Sequence, residues 1–200
     1  MFYVGVDLGQ KQDHTAIAIV ERRFVPWGYS GKMSDELLVR RAQRVALGTP
    51  YPRVVEMLVE TVRGPELAGQ GAMAVDGTGV GAPVVDLLRA AGAGCEITAV
   101  TITGGDKETR QGAGWVSVPK RNLILGVQLA LEKGEMRISR RMPGAGALVK
   151  ELLDVRMKAG GGMGAEGRGE HDDLAIALAL ACWRARRREN GFGSGRLPGI

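Results

Sequence analysis

A chain of 200 residues suits one domain and is long enough to bury a sizeable core. Basic residues exceed acidic ones by five, which suits a polyanionic partner or a mildly basic solvated surface. No apolar run approaches membrane-spanning length, and the opening MFYVGVDLG has neither a basic n-region nor a cleavable apolar stretch, so neither a membrane span nor a signal peptide is expected. Cys95 and Cys182 are the only cysteines. They sit in apolar surroundings without metal-ligand spacing, which excludes a disulfide scaffold and a cysteine zinc site and points to reduced thiols of a cytoplasmic protein.

FYVGVDLG is a short apolar run rich in β-formers and ended by Gly9, a strand signal. HTAIAIVERRF follows closely, so an antiparallel hairpin is expected with GQKQD at its tip. A third extended segment spans Trp27 to Val45. YPRVVEMLVETVRG has Pro52 in a first turn, apolar residues at Val54, Val55, Leu58 and Val62, and Gly64 as a stop, which predicts a helix. AMAVDGTGVGAPVVDLLRAAGAG reads as buried strand, glycine turn, helix. EITAVTITGG is another strand, VPKRNLILGVQLALEKGEM a helix opened by Pro119 and closed by Gly134, and MRI a short strand. GALVKELLDVRMK predicts a further helix. GGDKETRQGAGW and AGGGMGAEGRG read as loops, and the helix after Asp172 closes the domain.

Strands interleaved with helices imply an α/β sheet with helices on both faces, mixed because of its opening antiparallel hairpin. Residues 1–188 are expected to form the domain and 189–200 a disordered tail.

Three places put a carboxylate at the end of an apolar element. Asp7 ends the first strand, Asp76 ends a central strand, and Asp172 and Asp173 begin the last helix. Strand ends beside loops are where α/β folds place ligands. Two bare carboxylates about 4 Å apart repel by roughly 4 kcal/mol at an effective dielectric near 20. Gathered acids therefore protonate or bind a cation. Oxygen ligands without a histidine or cysteine cluster select Mg²⁺ or Mn²⁺, and a carboxylate-held pair of such ions is suited to phosphodiester hydrolysis.

Each acid also has a plainer role. Asp7 and Asp76 can start turns by bonding their own backbone, and Asp172 suits a helix N-cap. Gly77, Gly79 and Gly81 lack the G-x-G-x-x-G spacing and a following lysine, so a nucleotide loop is weakly supported. Asp173 shares a stripe with Ala177 and Ala181, which lets the helix approach the sheet closely. Asp173 is therefore favoured as the ligand and Asp172 as the cap. His171 beside the pair is either a proton-transfer group or structural.

The stretches VGVDLGQKQDHTAIAIV, YPRVVEMLVETV, AVDGTGVGAPVVDLLR, VPKRNLILGVQLALEKGEMRI and EHDDLAIALALA, in this order, resemble the nuclease domain of phage terminase large subunits, which has a ribonuclease H-like fold. The resemblance spans roughly Tyr3 to Trp183. It implies a metal-dependent endonuclease for double-stranded DNA, with two Mg²⁺ or Mn²⁺ ions held by Asp7, Asp76 and the HDD triplet, where Asp173 is the preferred ligand and Asp172 the alternative. It also matches Asp13 to a family position near the hairpin, and Lys120 to a basic position at a helix start. Lys107, Arg110, Lys120, Arg121 and Arg168 are the candidates for holding DNA backbone.

The same resemblance implies phage DNA packaging in a bacterial host, with a small terminase subunit and a portal as partners. Terminase large subunits carry an ATPase motor ahead of the nuclease. No G-x-x-x-x-G-K-[ST] motif occurs here, so ATP-driven packaging is expected to need a separate motor. Three rivals share parts of the pattern. A Holliday-junction resolvase would prefer branched DNA, an actin-like kinase or ATPase would bind ATP, and a non-catalytic DNA-binding relative would bind no Mn²⁺.

Overall fold

The computed structural model describes residues 1–9, 13–27, 32–67, 69–79, 81–112, 114–157, 163–165 and 172–187. The opening strands are β1 (Phe2–Asp7), β2 (Ala16–Trp27) and β3 (Lys32–Arg44), followed by α1 (Tyr51–Arg63). Next come β4 (Gly71–Asp76), α2 (Gly81–Ala90), β5 (Glu96–Thr103), β6 (Thr109–Gly112) and β7 (Trp115–Pro119). The chain continues through α3 (Lys120–Glu132), β8 (Met136–Ile138), α4 (Ala145–Asp154), β9 (Val155–Met157), β10 (Met163–Ala165) and α5 (Asp173–Arg186).

Eight strands form one mixed sheet in the order β6-β7-β5-β4-β1-β2-β3-β8, and β9 and β10 form a separate antiparallel pair. The pairs β1–β2, β2–β3 and β6–β7 are antiparallel. The pairs β1–β4, β4–β5, β5–β7 and β3–β8 are parallel. The predicted mixed α/β sheet is therefore present, with its opening hairpin in the middle rather than at an edge.

Strand alternation divides the core into two layers. Tyr3, Ala16, Ala18, Ala72 and Ala74 face α3, α4 and α5. Val4, Val6, Ile17, Ile19, Met73 and Val75 face α1 and α2. Helix α1 buries the predicted Val54, Val55, Leu58 and Val62. Helix α5 is buried around nearly its whole circumference, as its unbroken Leu/Ala/Ile content requires. It lies directly on β1. A Cβ on Gly5 would stand 1.9 Å from the Ala177 carbonyl oxygen and 2.6 Å from the Ala181 amide nitrogen, so only glycine admits the helix there. The small-residue stripe read from the sequence is the contact surface.

Three expectations are corrected. GGDKETRQGAGW is not one long loop, because it contains β6 and the start of β7. The helix after it begins at Lys120, with Pro119 in the N-cap position as the last residue of β7. GALVKELLDVRMK ends as a helix at Asp154, and its last residues form β9. The hairpin tip QKQ (10–12), most of the glycine loop, His171, Arg168 and the segment 188–200 lie outside the described residues. No helix among the described residues is long and apolar enough to cross a membrane.

Candidate active site

Asp7 and Asp76 end adjacent parallel strands. Val6 pairs with Val75, so the next step of the register sets the two aspartates side by side. Residues two apart share a face. Gly5 and Ala74 precede them on the α5 side, so both carboxylates emerge beneath the start of α5.

Asp76 occupies the first position of an Asx-type turn, with one oxygen accepting from the Thr78 amide at 2.8 Å. The Thr78 hydroxyl in turn accepts from the Ile102 amide at 2.9 Å, and Gly77 donates to the Val100 carbonyl at 2.8 Å. The turn role and the site role coexist, since the turn fixes one oxygen and orients the other. The glycines serve packing rather than a phosphate cradle. A Cβ on Gly77 would meet the Trp115 ring at 2.5 Å, and one on Gly81 would meet the Asp76 carbonyl oxygen at 2.2 Å.

The acids act on one another. The Asp7 carboxyl lies well above its ordinary range, chiefly through burial and then through the charges of Asp76, Asp172 and Asp173, against a smaller opposing effect of Lys120. Asp76 is also raised by burial, and this is moderated by the Thr78 hydrogen bonds and by Lys120. All four predicted acids thus meet in one electrostatic neighbourhood at the sheet's C-terminal edge.

Asp172 holds the N-cap position of α5, and its carbonyl accepts from the Ile176 amide at 2.8 Å. Its side chain makes no capping hydrogen bond. The expected side-chain cap is therefore absent, because the carboxylate goes to the Lys120 ammonium at 2.5 Å. Asp173 is buried, and its carboxylate accepts from Arg44 Nε at 3.0 Å. The other arm of Arg44 pairs with Glu151, also buried, whose second oxygen accepts from the Ala175 amide at 3.0 Å. Burial raises the Glu151 carboxyl, and the Ala175 amide and Arg44 oppose the rise.

Sequence reasoning missed Arg44 and Glu151. Arg44 sits in the same cross-strand row as Asp7, through Asp7–Ala16 and Ala16–Arg44 pairing. Glu151 interrupts the buried stripe of Ala145 and Leu148.

The remaining candidates lie elsewhere. Asp13 is exposed and lines a groove of about 220 Å³ with Thr15, Val45 and Tyr51. Lys107 is exposed in the turn between β5 and β6, and Arg110 is exposed on β6. Arg121 pairs with Asp106 at 2.9 Å.

Among the described residues no three His, Cys, Asp or Glu side chains form a ready metal-binding group. The acids meet as a pair, and Asp172 is engaged by Lys120. The donor set is nonetheless all oxygen, and one ammonium serves Asp172 while acting on Asp7 and Asp76. An excess of carboxylates that oppose one another's ionisation fits a hard divalent cation, which would offset that repulsion and displace the ammonium.

No protein-family model matches the sequence, and no curated protein matches it. Solved structures do match. The large terminase nuclease of the thermophilic phage G20c, solved with bound zinc, aligns with a TM-score of 0.52 and 19% identity over 90% of this chain and 79% of that one. The human cytomegalovirus terminase nuclease domain aligns at 0.55 and 15% identity over 91% and 82%. The nuclease domain of the large terminase subunit gp2 of bacterial virus Sf6, a K428A mutant solved with manganese and beta-thujaplicinol, aligns at 0.55 and 16% over 90% and 87%. The chain has the fold of these terminase nuclease domains, a mixed α/β sheet as the sequence resemblance implied.

Proposed function

We propose that this chain is a metal-dependent endonuclease that hydrolyses the phosphodiester backbone of double-stranded DNA. The supporting observation is the pairing of Asp7 and Asp76 at the ends of adjacent parallel strands, with the Asp172–Asp173 start of α5 above them. Asp7, Asp76 and the 172–173 pair would hold two Mg²⁺ or Mn²⁺ ions. When bound, such ions activate an attacking water and stabilise the leaving 3′-oxygen.

The chain's own residues supply position and charge. Thr78 fixes the Asp76 carboxylate. Burial and the neighbouring acids raise the Asp7 carboxyl, and a ligand carboxylate must be ionised, so the site gains strength as pH rises. Lys120, at the rim of the acids, is placed to take up scissile-phosphate charge once Asp172 engages a cation. Arg121, Lys107 and Arg110 lie along α3, the β5–β6 turn and β6, where they would hold backbone phosphates without reading sequence.

Phage DNA packaging in a bacterial cytoplasm is the biological setting this reading favours, with a packaging ATPase, a small terminase subunit and a portal as partners.

Plasmid nicking in Mn²⁺ tests the activity. Wild type converts supercoiled to nicked and linear DNA, and Asp7→Asn and Asp76→Asn do not. Equal cleavage by all three overturns the assignment. Preferential cutting of a four-way junction over linear duplex would replace it with a resolvase.

A further inference from the structure

Asp172 presents an anomaly. An aspartate in the N-cap position ordinarily bonds the second or third amide of its helix. Here the third helical amide, Ala175, is already taken by Glu151 Oε2 from α4, 24 residues away in sequence. Glu151 also acts on the Leu174 amide. The other Glu151 oxygen takes Arg44, and Arg44 Nε takes Asp173. The first turn of α5 is thus fastened to α4 and to β3 by a carboxylate–guanidinium–carboxylate network. Its guanidinium stands in the cross-strand row that carries Asp7.

We propose that Glu151 and Arg44 are positioning residues. Glu151 caps α5 from outside the helix, and together with Arg44 it seals Asp173 in the network, which releases the Asp172 carboxylate to complete the cation site with Asp7 and Asp76.

The cation role rests on the nuclease reading, whereas the capping role does not. Accessibility agrees with the division. The Asp173 side chain is 7% exposed and pairs with Arg44, whereas that of Asp172 is 25% exposed and pairs, among the described residues, with the displaceable ammonium of Lys120. Two carboxylates on either side of one guanidinium are stable when buried only while all three members stay. Withdrawing Asp173 from Arg44 for an ion would break a largely buried ion pair and leave the guanidinium with Glu151 alone, which is costly. Asp172 leaves Lys120 at little cost.

Two measurements on the full chain test this. The first is calorimetric Mn²⁺ binding. Glu151→Ala frees the α5 amides and draws Asp172 back to its own helix, so binding weakens about 10–100-fold, the range for supporting residues around a metal. Glu151→Gln keeps an acceptor oxygen and restores most of the affinity. Asp172→Ser offers a capping hydroxyl but no ligand; it loses Mn²⁺ binding while its Tm holds. A folded Glu151→Ala protein, or an Asp172→Ser protein, that binds Mn²⁺ like the parent overturns the proposal. The Asp172→Ser arm decides even if Glu151→Ala fails to fold.

The second measurement is metal-free thermal denaturation of a double-mutant cycle. Asp172→Ala leaves the parent's Tm in place but lowers that of Glu151→Ala by about 2–4 °C, the worth of one cap in a domain of this size. Equal effects in both backgrounds overturn the capping role. A parent chain that takes up no Mn²⁺ overturns the nuclease reading and the cation role of Asp172, and the metal-free cycle then decides the capping role alone.

Discussion

Asp7 and Asp76 end the adjacent parallel strands β1 and β4 side by side, and burial together with the charge of Asp76 raises the Asp7 carboxyl well above its ordinary range. Two buried acids set next to each other oppose each other's ionisation. A folded protein that stores such repulsion trades stability for a site.

Asp7→Asn should therefore stabilise the metal-free protein. The folded-state pKa of Asp7 is raised. Below about pH 3.9, the ordinary aspartate value, both folded and unfolded chains carry the proton and Asp7 costs nothing. As pH rises past that value the unfolded chain ionises first, and stability falls until the folded group also titrates. The Tm gain of Asp7→Asn should be absent near pH 3 and grow as pH rises above the ordinary aspartate value, as read by scanning calorimetry across pH. A Tm lowered at neutral pH would show that the acids are not in conflict.

Divalent cations should reverse that cost. Mn²⁺ should raise the wild-type Tm, through ligand linkage to the folded state, and leave Asp7→Asn nearly unmoved. The apparent Mn²⁺ affinity should climb with pH above the ordinary aspartate range, because the raised Asp7 carboxyl must ionise to bind. A pH-independent affinity would place the ion away from Asp7.

Gly5→Ala should be among the most damaging single-methyl changes in the domain. The added Cβ would overlap the α5 backbone at Ala177 and Ala181. Overpacking at a site that cannot yield costs about 3 kcal/mol, or roughly 6–12 °C in Tm for a domain of this size. Thermal melts of the purified variant check it, with soluble yield as a second readout.

The two thiols should separate by reactivity. Burial pushes the Cys182 thiol up to about 12, with Arg186 opposing weakly. Cys95 is half-buried and raised less, by burial and by Glu96. A thiol reagent at pH 8 should label Cys95 alone in the native protein and both in denaturant, which mass spectrometry of labelled peptides would show.

Much of the fold was legible because the pattern was strong. The β1–β2 hairpin, α1, the β4–turn–α2 unit and α5 each carry periodicity with a clear stop. The β6–β7 hairpin was not legible. TRQG is polar and fully exposed, without alternation, and WVSVP runs straight into the helix, so its Pro119 reads as the helix's own. At the site, Asp7 and Asp76 stood out because each ends an apolar run. The division of labour at α5 did not. Sequence proximity makes Asp172 its own cap, and only the tertiary fold brings Glu151 to that amide. The available signal was a glutamate set in the buried stripe of α4, where an unpaired carboxylate would be expensive.

The most direct test of the central claim is a crystal of the wild-type chain soaked in Mn²⁺ and measured at the manganese edge. The account predicts an anomalous peak bridging the carboxylates of Asp7 and Asp76, with the Lys120 ammonium moved off Asp172. Peaks only elsewhere on the molecule, or the Lys120–Asp172 pair intact at saturating Mn²⁺, would contradict it.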